Sequence, residues 1–222
     1  MELRLQDREY LLFDLDGTLT DSQEGITRSV AYALEGFGIQ ETDVASLRRF
    51  IGPPLDDSFR EFYGFSPDQA KAATARYRQR YNVTGWMENK VYPGIPALLR
   101  GLLDQGRRLL VATSKPTPTT LDILEYFDLR KYFLAVAGSE FDGTRGTKAQ
   151  VVRYALELAG AEASRAVMIG DRRHDVIGAR EAGAPCVGVL YGFGDRAELE
   201  QAGAAWIAET VEDLGRLLGL PD

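Results

Sequence analysis

From Gly94 to the C-terminus the chain repeats one unit: a helical stretch with one apolar face, then a short continuous apolar run closed by small or polar residues. ALLRGLLDQG leads into RRLLVATSK, helix 118–127 into FLAVAGS, helix 147–159 into AVMIG and helix 175–182 into PCVGVLY; AWIAE and VEDLGRLLGL add one more turn. Apolar runs this short, without polar alternation, fit strands buried on both faces, as in a parallel sheet covered by helices. The pattern predicts a doubly wound, Rossmann-like α/β core whose ligands sit at the carboxyl ends of its strands.

One segment breaks the rhythm. The stretch YLLFDLDGTLTDS, residues 10–22, enters the sheet with a strand at 10–14, but residues 22–90 hold several helical patterns and no convincing strand. Ile26, Val30, Ala33, Leu34 and Phe37 share one helical face, and Asp21 with Glu24 three places on predicts a capping-box start. A second helix opens at Ser66-Pro67-Asp68-Gln69 and carries Ala70, Ala73, Tyr77 and Tyr81 on its stripe, with IGPPL as a rigid loop between the two helices. The expected division is therefore a core of residues 1–20 and 91–222 with an inserted all-helical domain at 21–90. A chain of 222 residues, 45% of them apolar, suits one large domain with a smaller insertion.

The net charge of −7 argues against nucleic-acid and membrane-surface partners, because a phosphate backbone or an anionic leaflet would be repelled. A single cysteine, Cys186, excludes an internal disulfide and a thiolate metal cluster and reads as core filling. MELRLQDREY has no apolar run of signal-peptide length, and no later run approaches a membrane span. The expectation is a cytoplasmic protein, monomeric or weakly dimeric.

The chemistry gathers at strand ends: Asp14 and Asp16 after YLLF, Thr113 and Ser114 after LLVA, Lys148 opening a helix, and Asp171 with Asp175 after VMIG. Parallel topology brings such ends to one crevice. Three or four carboxylates that close would be driven to take up protons unless a cation joined them. Oxygen ligands without cysteines or paired histidines favour Mg²⁺. The cation and Lys148 would also screen the repulsion between a phosphomonoester dianion and a carboxylate nucleophile.

In this order DLDGTL, VATSK, Lys148 and GDRRHD resemble the four motifs of the haloacid dehalogenase superfamily, and the chain resembles its phosphoglycolate phosphatase-like branch. IGPPL and VYPGI are similar to that branch's cap-loop and cap-return sequences, so the resemblance covers nearly the whole chain and makes the insertion a helical cap. It implies that Asp14 is the nucleophile, forming an aspartyl phosphate, and that Asp16 protonates the leaving alkoxide and then deprotonates water. Asp14, the Asp16 carbonyl oxygen and Asp171 would hold Mg²⁺, with Asp175 positioning its water from one layer out. Thr113 and Ser114 would receive phosphoryl oxygens, and Lys148 would pair nucleophile and phosphate.

The implied activity is Mg²⁺-dependent hydrolysis of small soluble phosphomonoesters, phosphoglycolate first and nucleoside 5′-monophosphates as the alternative. A sugar-phosphate mutase is disfavoured by Thr18 after Gly17, where that branch commonly has an apolar residue. A phosphate-binding protein without turnover is disfavoured by the filled catalytic positions. RGTKAQVV lacks the proline that follows the lysine in many relatives, which leaves Lys115 as a rival to Lys148. Arg49, before IGPPL, is a candidate contact to a substrate anion or a solvated surface residue. His174 has a local role, and Tyr77, Tyr81 and Trp86 read as helix packing.

Overall fold

Four consecutive apolar residues, Tyr10–Phe13 (β1), are all buried, and they pair in parallel with a strand on each side. One partner is Arg108–Pro116 (β4), with Phe13 opposite Val111; the other is Ala166–Gly170 (β6), with Phe13 opposite Ile169. Beyond β4 lies Ala135–Ser139 (β5); beyond β6 lie Cys186–Val189 (β7) and Trp206–Ala208 (β8). The sheet runs β5-β4-β1-β6-β7-β8, wholly parallel. Chain order therefore reverses beside β1, which makes the end of β1 the mouth of the ligand crevice.

Helices Ile95–Asp104 (α4), Thr117–Tyr126 (α5), Lys148–Ala159 (α6), Arg173–Glu181 (α7), Arg196–Ala202 (α8) and Val211–Leu217 (α9) connect and cover these strands. On one side Leu12, Leu110, Ala112 and Met168 pack with Val151, Val152, Ala155, Val176 and Leu199. Cys186 belongs to this buried cluster, in agreement with a filling role. Each fully buried leucine in such a layer contributes roughly 1.5–3 kcal/mol, so the crevice has a stiff floor.

The structure is a computed structural model and describes residues 4–140, 142 and 144–221. The chain divides into two compact units, residues 1–20 with 91–222 and residues 21–90. At the chain crossings Thr20–Asp21 (β2) and Lys90–Val91 (β3) form a two-stranded ribbon that the sequence pattern did not announce. Among the described residues, no helix is long and apolar enough to cross a membrane.

The second unit is helical: Gln23–Glu35 (α1), a 3-10 stretch at Val44–Phe50, Leu55–Tyr63 (α2), Pro67–Arg80 (α3) and a π turn at Tyr81–Gly85. The predicted capping box of α3 is present, with Ser66 accepting from the Gln69 N–H and Gln69 accepting from the Ser66 N–H. Ala70, Ala73, Tyr77 and Tyr81 are buried as the stripe requires, and the two tyrosine rings stack at 5.1 Å. The Asp21–Glu24 box is not formed. Ser22 is the N-cap residue of α1 and makes no side-chain cap, while the Asp21 carboxylate accepts from Gln23 N at 3.1 Å. The helix starts one residue too late for Asp21 to reach its third N–H. The rigid loop at IGPPL is also shorter than expected, because Leu55 already opens α2.

Candidate active site

The predicted residues of the α/β unit meet at the carboxyl end of the sheet. Asp14 continues β1, its N–H bonded to Ile169 O at 2.9 Å, so its backbone is fixed as though the strand ran one residue further. Its Oδ1 accepts from Leu15 N at 2.8 Å and lies 3.0 Å from Lys148 Nζ; the Thr113 hydroxyl donates to the same carboxylate. Lys148, first residue of α6, also reaches Asp175 Oδ1 at 2.6 Å and Ala112 O at 3.1 Å. Thr147 caps this helix in a box with Gln150, which fixes where Lys148 projects. The nearby Lys115 pairs instead with Asp16, Nζ to Oδ2 at 2.9 Å.

Asp171 and Asp175 come from the β6–α7 junction. Asp171 Oδ2 accepts from Phe193 N at 2.8 Å, whereas its buried Oδ1 has no hydrogen-bond partner. Asp175 serves two ends at once: Oδ2 caps the first turn of α7 by accepting from Arg172 N at 3.0 Å, and Oδ1 pairs with Lys148. Helix capping and membership of the site thus coexist in one carboxylate.

Electrostatics define what this cluster lacks. Asp14, Asp171 and Asp175 each present a carboxylate oxygen within 4.8 Å of the others, all three residues are buried, and Lys148 supplies one positive charge against them. Burial pushes the Asp14 carboxyl up; Lys148 pulls it back and Asp175 adds to the rise. Burial also raises Asp171 well above the ordinary carboxylate range, reinforced by Asp175 and Asp14. At Lys148 burial opposes the ammonium, but the attraction of Asp14 and Asp175 outweighs it and raises the group. An excess of buried negative charge, with Asp171 Oδ1 left without a partner, fits a hard divalent cation held by oxygen ligands.

Two features were not foreseen. The turn after β7, Tyr191–Gly194, folds against the first motif: Phe193 N serves Asp171, and the Tyr191 hydroxyl donates to Thr18 O at 3.2 Å. A Cβ on Gly17, whose φ is +81°, would lie 2.1 Å from Asp171 Oδ2, and one on Gly192 would lie 2.3 Å from Gly17 O. Both positions need glycine for the two loops to close on the carboxylates. The signal was available in YGFG at the end of a strand two places from β1. The pairing of Lys115 with Asp16 was the other omission.

The remaining candidates are Ser114, Arg49 and His174. Ser114 is only partly buried, and its carbonyl accepts from the Ser139 hydroxyl at 2.7 Å, tying β4 to β5. Arg49 belongs to the helical unit, where its guanidinium stacks over Phe62 at 4.5 Å and Tyr63 at 5.5 Å. Burial lowers the His174 imidazole, and Arg173 and Arg172 reinforce this, favouring its neutral form.

Against this geometry the comparisons with known proteins are consistent. The haloacid dehalogenase-like hydrolase family matches residues 11–189. The chain belongs to that family and is a hydrolase of its phosphatase type. It is 50% identical to a 5′-nucleotidase of Pseudomonas aeruginosa over 85% of this chain and 86% of the relative. It is 38% identical to tyrosine-protein kinase PtkA of Mycobacterium tuberculosis, over 96% of this chain and 73% of that one. A phosphoglycolate phosphatase of Rhodospirillum rubrum is 32% identical over 95% of this chain and 91% of its own. The crystal structure of a predicted phosphatase from Clostridium acetobutylicum superposes with a TM-score of 0.92 at 51% identity, covering 94% of this chain and 97% of that one.

Proposed function

We propose that the protein is a Mg²⁺-dependent phosphatase that hydrolyses small soluble phosphomonoesters through a phosphoenzyme at Asp14. The observation that carries this reading is the placing of the Asp14 carboxylate against Lys148 and Thr113, with Asp16 two residues on. Asp14 attacks phosphorus, forming its O–P bond as the ester O–P bond breaks, and the departing alkoxide takes a proton from Asp16. Water then attacks the aspartyl phosphate and gives its proton to Asp16, releasing inorganic phosphate and restoring the Asp14 carboxylate. Lys148 and the Thr113 hydroxyl orient the nucleophile and meet the phosphoryl oxygens. Asp14, the Asp16 carbonyl and Asp171 would hold Mg²⁺, with Asp175 one layer out in the carboxylate cluster, and the ion's charge would offset the repulsion between dianion and carboxylate.

Nucleoside 5′-monophosphates are the favoured substrates, on the strength of the 50% identity to a 5′-nucleotidase; phosphoglycolate is the second, on the 32% relative. We place the enzyme in the cytoplasm, as a monomer or weak dimer. Phosphate release from a panel holding both substrates, with Mg²⁺ and with chelator, tests the reading. The expected result is chelator-sensitive release, fastest from nucleoside monophosphates. Phosphotyrosine formed from ATP without ester hydrolysis would overturn it.

A further inference from the structure

Thr113 and Lys115 lie two residues apart on β4, and Asp14 and Asp16 lie two residues apart just past the end of β1, the neighbouring strand. The two segments meet in two side-chain rungs: the Thr113 hydroxyl donates to Asp14, and the Lys115 ammonium lies 2.9 Å from Asp16 Oδ2. The second rung is sheltered, with side-chain exposures of 7% for Lys115 and 13% for Asp16. The other Asp16 oxygen, Oδ1, is buried and has no hydrogen-bond partner.

We propose that Lys115 is a positioning residue for leaving-group protonation: it anchors the Asp16 carboxyl through Oδ2 and so fixes the group that exchanges the proton with the alkoxide. This rests on the assignment of Asp16 as the acid. A carboxyl without its anchor rotates about its side-chain torsions, and a proton donor displaced by an ångström loses much of its advantage. The loss falls on esters whose leaving group needs the proton. An alkoxide does; a nitrophenolate, already stable as an anion, hardly does.

The test compares kcat/KM for an alkyl phosphate and for p-nitrophenyl phosphate in wild type, Lys115→Met, Lys115→Arg and Asp16→Asn. This parameter reports steps up to departure of the leaving group, so the later part of Asp16 in activating water does not enter. Turnover of the aryl ester also reports a folded active site. The aryl-to-alkyl ratio is expected to rise at least about tenfold in Lys115→Met and to return towards wild type in Lys115→Arg, out of the 10²–10⁴-fold that a positioned acid supplies. An equal fall for both esters in Lys115→Met, or a rise in KM alone, would overturn the inference, because either marks Lys115 as a phosphate-binding or structural group. If Asp16→Asn raises the ratio and Lys115→Met does not, only the role of Lys115 fails; if Asp16→Asn leaves the ratio unchanged, the acid assignment falls and this inference with it.

Discussion

The two units of the chain are built on opposite internal chemistries. At the end of its sheet the α/β unit buries Asp14, Asp171, Asp175, Lys148 and Thr113 together. The helical unit packs aromatic rings around buried Phe50, Phe59 and Phe65: Phe50 meets Phe59 at 5.0 Å and the half-buried Phe62 at 5.3 Å, Phe59 stacks on Phe65 at 5.8 Å, and Phe65 meets the half-buried Phe37 at 4.8 Å. Its main ion pairs are nearer the surface, where Arg80 holds Glu88 at 2.7 Å and Arg28 holds the same carboxylate at 3.0 Å. Ring burial adds stability with no chemical consequence. Buried like charges do the reverse: they cost stability and give the fold a reactive centre. A mutation should therefore tell the two units apart by whether it moves stability, turnover or both.

The largest effect is expected at Lys148, the cation between two buried carboxylates. Lys148→Met should abolish most turnover and destabilise the protein by roughly 3–5 kcal/mol in urea unfolding, because it leaves those charges without their partner. Phe59→Ala should cost a similar 3–5 kcal/mol by opening a cavity among the rings. Its damage should appear as unfolding of the helical unit; a variant as stable as wild type would break the contrast. Asp171→Asn should move stability and activity in opposite directions. With chelator present, removal of a buried carboxylate that repels two others should raise stability by about 0.5–2 kcal/mol, while turnover falls sharply. A loss of stability would place Asp171 among purely structural groups.

The smallest effect is expected at Glu88. The hydrogen bonds from Arg80, foremost, and from Arg28 hold its carboxyl below the ordinary value of 4.5. A carboxylate lowered on folding stabilises the fold above the unfolded value and loses that contribution as pH falls through the folded one. Because the pair is partly exposed, Glu88→Gln should cost only about 0.5–1 kcal/mol at neutral pH, and the difference from wild type should vanish in thermal melts taken well below pH 4.5.

The same contrast explains what could be read from the sequence. Apolar runs reported the strands, and parallel topology sent Asp14, Thr113, Lys148, Asp171 and Asp175 to one place although 161 positions separate Asp14 from Asp175 in the numbering. Spacing along a strand carries that information whatever the rotamers. It does not say which lysine meets which aspartate: Lys115 and Lys148 were rivals for one role, and side-chain direction gave each its own carboxylate. The contribution of Tyr191–Gly194 depends on how a turn folds back, which no local periodicity records. In the helical unit the strong capping box at Ser66 was legible, whereas Asp21 lost its predicted box to a one-residue difference in where α1 begins. Arg49 illustrates the remaining gap, since a cation before a loop could serve a substrate anion, and in the fold it stacks on Phe62 and Tyr63.

The central claim is that phosphoryl transfer passes through Asp14, and trapping the intermediate tests it most directly. The protein, quenched during turnover of a nucleoside 5′-monophosphate with Mg²⁺ and reduced with borohydride, should yield homoserine at position 14 in peptide mass spectra, and Asp14→Asn should yield none while losing turnover. Reduction at another carboxylate, or full turnover by Asp14→Asn, would contradict it.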